Sequence, residues 1–165
     1  MSTIRYALIG YGKVAKVHAK ALKDAKNSLL VAVWGRDAAK AQAFAQEFGI
    51  LPYTDINIMV SEAKVDAVII TTPHPLHKEH SIAALKADAH VLVEKPMALT
   101  VSDCDAMIET AKAEKKLLSV ISQRRWYPAS RRIHDAIIDG KLGKPMLGQV
   151  TMLGWRDEEY YKSDP

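Results

Sequence analysis

Short apolar runs alternate with helically spaced hydrophobic residues along most of the chain. The apolar runs predict strands at residues 6–9, 29–34, 65–70, 91–93 and 117–121. Helical spacing predicts helices after Gly12, before Gly49, over 77–87 and over about 100–116. Because the apolar runs are continuous rather than alternating, we expect helices to cover both faces of the sheet. The pattern therefore predicts an α/β fold with a doubly wound parallel sheet.

A glycine-rich turn follows the first predicted strand, at the end of the sheet where ligands of this fold class bind. Its sequence is Gly10-Tyr11-Gly12-Lys13-Val14-Ala15. Gly10 allows a tight turn, Gly12 lets the backbone approach a pyrophosphate, and Ala15 allows close helix packing. The first N–H groups of the next helix can then bind phosphate, beside the charge of Lys13. A turn without a ligand is the alternative, because such glycine patterns are common.

The end of the second predicted strand bears on which dinucleotide would bind. Many dinucleotide-binding domains place an acidic residue there for the adenosine ribose, whereas this sequence has Gly35 and then Arg36. A missing carboxylate relieves repulsion of a 2′-phosphate, and the Arg36 guanidinium can bind that phosphate through paired hydrogen bonds. The sequence therefore favours NADP(H) over NAD(H). The alternative is a solvated Arg36 beside Asp37, which could cap the next helix or contact the ribose.

Composition and charge restrict the class of protein further. The chain has 165 residues, 48% hydrophobic and 25% charged, which is typical of a soluble globular protein. Cys104 is the single cysteine, so the sequence excludes an intrachain disulfide and favours a reducing, cytoplasmic location. We expect neither export nor a membrane partner, because no signal sequence or long apolar run is recognisable. The net charge of +4 fits a small anionic ligand such as a nucleotide.

The histidines give little indication of a metal site. His74, His77 and His80 are spaced by three residues. No single helix face carries all three well, and no nearby acid completes a ligand set, so we expect no bound metal. We interpret His18 as a helix-packing residue and His90 as a strand-edge residue.

The region after residue 122 combines arginine with aromatic side chains. These residues are Arg124, Arg125, Trp126, Tyr127, Arg131 and Arg132. The mixture superficially resembles a nucleic-acid-binding patch. We expect a mixed helix face and a cofactor contact instead, and therefore no nucleic-acid partner.

Four segments together resemble the Gfo/Idh/MocA oxidoreductases, in the order and spacing of that family. They read "GYGKVAKVHAKAL", "VDAVIITTPHPLH", "HVLVEKPMALT" and "QRRWYPASRRIHDAIIDGKLGKP". The resemblance implies a Rossmann domain over residues 1–122 and the start of an incomplete C-terminal α/β substrate domain over 123–165. Residues 149–155 are strand-like in their own pattern, and we expect a strand there. It also implies hydride transfer between a nicotinamide and a carbinol carbon of a sugar, nucleotide sugar or cyclic polyol.

The resemblance assigns cofactor contacts to positions that match the family's motifs. These are Gly10, Gly12, Lys13, Val14, Ala15, Thr72, Pro73, His74, His77, Glu94, Lys95 and Arg125. Arg36 and Asp37 complete the predicted cofactor set from the argument on the second strand. His74 stands where the family usually has asparagine, which puts the local contact to the nicotinamide ribose in question.

Lys95 is the predicted catalytic residue, matching the lysine of the family's Glu-Lys-Pro signature. An ammonium at this end of the sheet can hydrogen-bond the substrate oxygen, stabilise a developing alkoxide and assist proton transfer. An ion pair with Glu94, or a solvated lysine before a turn, is the alternative.

The chain looks like a piece of a longer protein of this kind. In the family, the second domain brings an aspartate and a histidine to the catalytic group and is expected to form the contacts of a homo-oligomer. We therefore expect residues 1–165 to bind cofactor but to turn over poorly, because the groups that complete the site and exclude water are absent. A non-enzymatic dinucleotide sensor is the alternative, although the intact Glu94-Lys95-Pro96 argues against it.

Overall fold

Residues 3–162, described by a computed structural model, contain a parallel sheet of six strands. The strands are β1 Ile4–Ile9, β2 Ser28–Trp34, β3 Leu51–Tyr53, β4 Ala67–Ile70, β5 His90–Val93 and β6 Leu118–Val120. Their order is β3-β2-β1-β4-β5-β6, and every neighbouring pair is parallel. The order reverses between β1 and β4, which is where ligands of such sheets bind. The predicted doubly wound sheet is confirmed.

Helices follow most of the strands. They are α1 Lys13–Asp24, α2 Ala38–Phe48, α3 Ile56–Glu62, α4 His77–Lys86, α5 Val101–Ala113, α6 Pro128–Ile138 and α7 Glu158–Lys162. Four of them begin at side-chain caps, in which Asp37, Asp55, Thr100 and Asp157 each accept a hydrogen bond from a first-turn backbone N–H. None of the helices in the described part of the chain is both long enough and apolar enough to cross a membrane.

Two hydrophobic clusters cover the two faces of the sheet. Adjacent residues of β1 alternate between them, because successive strand side chains point to opposite faces: Leu8 belongs to one cluster and Ile9 to the other. The Leu8 cluster includes buried residues of α1 and α2, whereas the Ile9 cluster includes buried residues of α3, α4 and α5. Burial on both faces explains the continuous apolar runs at residues 7–9 of β1 and 67–70 of β4.

The ends of the central strands lie side by side. Ile9 is in register with Trp34 on one side and with Ile70 on the other, and Ile70 is in register with Val93. The turns that follow these four residues are therefore neighbours at one edge of the sheet. Every cofactor residue predicted before position 122 lies in one of these turns or at the start of the helix that follows it.

The contacts divide the chain into Met1–Ser122 and Gln123–Pro165. The first unit contains the sheet and α1 to α5, and the second contains α6 and α7. That the second unit begins a substrate domain stays a prediction.

The secondary structure predicted from the hydrophobic pattern differs from the structure in two places. The prediction missed β3 and α3, which are too short to produce a clear period. The predicted strand at residues 149–155 is wrong, because this segment has no regular secondary structure and its apolar Leu153 is 96% exposed. A strand needs a neighbour for its backbone N–H and C=O groups, and no strand of residues 3–162 pairs with this segment.

Candidate functional site

The turn after β1 is shaped by its two glycines in different ways. Gly10 has φ 109°, and a Cβ there would lie 2.8 Å from Thr71 Oγ1 and 3.1 Å from the Thr71 carbonyl oxygen. Gly10 is therefore required by the close approach of the turns after β1 and β4. Gly12 has open space around it and caps α1 without a side-chain hydrogen bond. The first-turn N–H groups of α1, next to the exposed Lys13, are left open to an anion, as a pyrophosphate site requires.

The helix after this turn packs closely, as the sequence predicts for position 15. Ala15 is fully buried in the cluster of Leu8, whereas Val14 is 46% exposed. A larger side chain at Ala15 would push α1 away from the sheet. Val14 contributes little to the core, and its assignment to the cofactor set stays a prediction.

Gly35, at the end of β2, has a packing reason of its own. A Cβ at this position would overlap the ring of Tyr11 and lie 3.4 Å from the Cβ of Ala41. Tyr11 thus occupies the space that an acidic side chain at position 35 would need. The missing carboxylate is explained by this packing as well as by a preference for NADP, so it is a weaker indication of that preference than the sequence suggested.

Arg36 and Asp37 differ in how they are held. Arg36 is exposed and has no hydrogen bond or ion pair with another residue between positions 3 and 162. Asp37 accepts a hydrogen bond from the backbone N–H of Lys40 at 3.1 Å and lies 3.8 Å from its ammonium group. Asp37 is therefore occupied in capping α2, while Arg36 is available to a ligand.

The turn after β4 is bound to β1 and to α4. The backbone N–H and the hydroxyl of Thr71 both donate to the carbonyl of Ile9, at 2.9 and 3.1 Å. The Thr72 hydroxyl is 3.0 Å from Nδ1 of the buried His80, whose ring packs edge-on against Trp34. Burial lowers the pKa of His80, so the fold favours its neutral ring.

Of the three histidines in the segment after β4, His77 contacts backbone oxygens, His80 contacts the Thr72 hydroxyl and His74 is exposed. His77 is fully buried, with Nδ1 2.8 Å from the carbonyl oxygen of Pro96 and Nε2 2.9 Å from that of Thr72. His74 and Pro73 are exposed, and the rings of His74 and His77 lie 5.4 Å apart. Residues 3–162 contain no group of three side chains placed to hold a metal ion. The assignment of Thr72, Pro73, His74 and His77 to the cofactor stays a prediction.

Glu94 and Lys95 follow β5 and are held through the carboxylate of Glu94. Its Oε1 accepts a hydrogen bond from Nε2 of His18 at 2.8 Å, and its Oε2 accepts one from the backbone N–H of Lys95 at 3.1 Å. The exposed ammonium of Lys95 has no ion pair within the described residues. The ion pair between Lys95 and Glu94, considered as an alternative, is therefore not formed. His18 does more than pack, because its ring binds Glu94.

Arg125 lies in the second unit, in the 3-10 turn Gln123–Trp126, and is exposed. Its contact to the cofactor stays a prediction.

The sequence argument missed the roles of two residues, Tyr11, whose ring fills the space beside Gly35, and His18, whose ring binds Glu94. Both depend on contacts between distant parts of the chain, and no local pattern indicates them.

Known proteins are similar to this chain in sequence and in fold. Residues 4–122 match a family described as an oxidoreductase family with an NAD-binding Rossmann fold, GFO_IDH_MocA. The chain is 32% identical to a 1,5-anhydro-D-fructose reductase of Ensifer adhaerens over 93% of its length and 49% of the relative. It is 30% identical to a myo-inositol 2-dehydrogenase of Thermotoga maritima over 90% of its length and 45% of the relative.

A solved structure is similar over nearly all of the chain. The WlbA dehydrogenase of Chromobacterium violaceum, crystallised with NADH and UDP-GlcNAcA, has a TM-score of 0.91 and 32% identity. The match covers 99% of this chain and 48% of that one. The chain thus spans about half the length of the relatives it matches.

Proposed function

Since the chain belongs to the Gfo/Idh/MocA oxidoreductase family, we propose that it binds a nicotinamide dinucleotide at the edge of the sheet where β1, β4 and β5 end. The observation that carries the proposal is the turn after β1, where an uncapped helix N-terminus and an open Gly12 lie at the reversal of strand order. Backbone N–H groups and the helix dipole at such a point favour a pyrophosphate. The WlbA dehydrogenase, similar over the same residues, contains NADH.

NADP is the preferred cofactor in this proposal, with NAD as the alternative. Arg36 is exposed, has no hydrogen bond or ion pair among residues 3–162, and lies two residues after β2, where the adenosine ribose of a dinucleotide is expected. A guanidinium in that position can bind a 2′-phosphate through two parallel hydrogen bonds. Asp37 is a weaker candidate for the ribose, because capping α2 occupies its carboxylate.

The reaction of the whole protein is proposed to be reversible hydride transfer at a carbinol carbon. The nicotinamide, when bound, accepts or returns the hydride. Lys95 would donate a hydrogen bond to the reacting oxygen and stabilise its developing negative charge. In the direction of reduction its ammonium would supply the proton of the new hydroxyl group, and in oxidation its neutral amine would accept that proton. A free ammonium suits this role, because no carboxylate of the described residues neutralises it.

A sugar, nucleotide sugar or cyclic polyol is the proposed substrate class. This agrees with relatives named for 1,5-anhydro-D-fructose and for myo-inositol. Residues 1–165 alone are proposed to bind cofactor with little turnover, because they span about half the length of the relatives they match. The homo-oligomer and the cytoplasmic location stay predictions.

Calorimetric titration of the chain with NADP⁺ and NAD⁺ tests the cofactor proposal. We expect tighter binding of NADP⁺, and we expect Arg36→Ala to weaken NADP⁺ binding by about ten- to a hundredfold, the value of a hydrogen bond to a charged group. NAD⁺ affinity should hardly change in that variant. Arg132→Ala, which removes an exposed arginine of α6, is the matched control. Equal or tighter binding of NAD⁺ would overturn the role of Arg36, and binding of neither would overturn the proposed site.

A further inference from the structure

Lys95 lies between two residues that are each bound by a histidine. On one side, the carboxylate of Glu94 accepts a hydrogen bond from His18 of α1. On the other side, the carbonyl of Pro96 lies 2.8 Å from the ring of His77 in α4. The side chain of Lys95 itself is exposed and has no hydrogen bond or ion pair in the described part of the chain. The main chain around Lys95 is therefore held from both neighbours, whereas no described residue binds its ammonium.

The contact through Glu94 connects Lys95 to the helix that follows the glycine turn. The two oxygens of Glu94 have separate partners, His18 Nε2 at 2.8 Å and the Lys95 backbone N–H at 3.1 Å. The side chains of His18 and Glu94 are only 18% and 16% exposed, so water screens their interaction weakly. Because α1 also presents its N-terminus to the proposed pyrophosphate site, this contact fixes Lys95 to the helix that would hold the cofactor.

The contact through His77 connects the turns after β4 and β5. Its rigid, fully buried ring reaches the carbonyl oxygens of Thr72 and Pro96 with its two nitrogens, at 2.9 and 2.8 Å. A carbonyl oxygen only accepts, so the neutral ring donates to one of them and the doubly protonated ring to both. When both nitrogens carry a proton, the ring hydrogen-bonds both turns, and in either form it lies buried between the two carbonyl oxygens.

We infer that His18 and His77 are positioning residues that fix Lys95 relative to the cofactor. They act through Glu94 and Pro96 rather than by touching the cofactor or the substrate. This differs from the sequence interpretation, in which His18 packs a helix and His77 contacts the cofactor. The inference rests on the proposed function, because the proposed function places Lys95 beside the nicotinamide.

Protection of Lys95 from chemical modification tests the inference. An amine-specific reagent is applied with and without NADP⁺, and modification of Lys95 is followed by mass spectrometry against Lys23, an exposed lysine at the end of α1. At a cofactor concentration ten times the Kd, a Lys95 held beside the nicotinamide should react about tenfold more slowly, since about nine in ten sites are then filled. The modification rate of Lys23 should not change.

The variants separate positioning from folding. His18→Leu and His77→Leu should lose most of the protection of Lys95 while NADP⁺ still binds, as measured by calorimetry. His18→Gln should restore protection, because its amide can still donate to Glu94 at a similar reach. His134→Leu, at an exposed histidine of α6, is the control. Thermal unfolding of each variant identifies any that does not fold, and the comparison then rests on the leucine variant that does fold.

The outcomes distinguish the inference from the proposed function. Full protection in both leucine variants would overturn the positioning role, whatever the affinity for NADP⁺. Wild-type protein that binds NADP⁺ without protecting Lys95 would overturn the proposed place of Lys95 and the inference with it. If the wild-type chain binds no cofactor, the proposed site is wrong, and hydrogen exchange of the Lys95 backbone amide then tests whether His18 holds Lys95 through Glu94. An unchanged exchange rate in His18→Leu would overturn this role of His18. A faster rate in His18→Leu that returns to the wild-type value in His18→Gln would support it.

Discussion

Replacement of Gly10 by alanine should destabilise the fold much more than the same replacement at Gly12. Gly10 has φ 109°, and an added Cβ would lie 2.8 Å from the Thr71 hydroxyl and 3.1 Å from the carbonyl carbon and oxygen of Thr71. Thr71 cannot easily move away, because its backbone N–H and its hydroxyl both donate to Ile9. At Gly12, with φ −75° and no atom within 4 Å of an added Cβ, neither problem exists.

The expected cost at Gly10 has two parts. A non-glycine residue in such a backbone conformation costs about 1–3 kcal/mol. The steric overlap with fixed backbone adds about 1–3 kcal/mol. We therefore expect Gly10→Ala to lower the free energy of unfolding by about 3 kcal/mol, within a factor of two, and the thermal midpoint by roughly 6–12 °C. Gly12→Ala should cost less than about 1 kcal/mol, the usual difference between these residues at a helix N-cap.

Urea unfolding of the two variants beside the wild-type chain measures these costs, and calorimetry with NADP⁺ measures binding. Gly12→Ala should fold normally but bind the cofactor poorly, because its methyl group would lie where the pyrophosphate approaches the backbone. If the two variants were equally stable within about 0.5 kcal/mol, the close approach of Gly10 to Thr71 would not be what requires glycine. Unimpaired NADP⁺ binding by Gly12→Ala would show that the phosphate lies elsewhere.

Three further predictions concern stability. Asp37→Ala should lower the free energy of unfolding by about 1 kcal/mol in urea titrations, because the cap of α2 is lost, and Asp37→Ser should recover most of it. Met107→Ala should cost about 2–5 kcal/mol at a fully buried position, and an equal cost for the partly exposed Ile108→Ala would contradict this burial argument. The lowered pKa of His80 means that its contribution is present above its unfolded-state pKa and is lost as pH falls through the folded value. The thermal midpoint of the wild-type chain should therefore drop between about pH 7 and pH 5, and it should drop less steeply in His80→Asn. Identical pH profiles of the two proteins would refute the assignment of this drop to His80.

The alternation of strands and helices was predictable because most elements carry their own signal. The buried parts of the central strands are uninterrupted apolar runs, and the longer helices repeat their apolar residues with their own period. The turns at the strand ends follow directly, since the end of an apolar run marks the end of a strand. This is how Gly10, Gly12 and Lys95 were found.

Contacts between distant residues were not predictable in this way. His18 and Glu94 are 76 positions apart, and neither has a neighbour in the sequence that indicates the other. The fit of Tyr11 over Gly35 is similar, because the sequence shows only a missing acid and not the ring that takes its place. The strand predicted at 149–155 was wrong for a different reason. Its residues suit a strand, but no strand of residues 3–162 pairs with them.

Local patterns were enough to predict the order and type of the main elements, the doubly wound sheet and the turns at the strand ends. These patterns come from burial and from turn residues, which act over a few neighbouring positions. Contacts between distant residues determine what each polar side chain in those turns binds. Asp37 caps a helix, Glu94 joins His18 to Lys95 and His77 lies between two turns, whereas Arg36 and Lys95 have no side-chain partner among residues 3–162. Such pairings depend on distances across the sheet, which are set when the strands come into register.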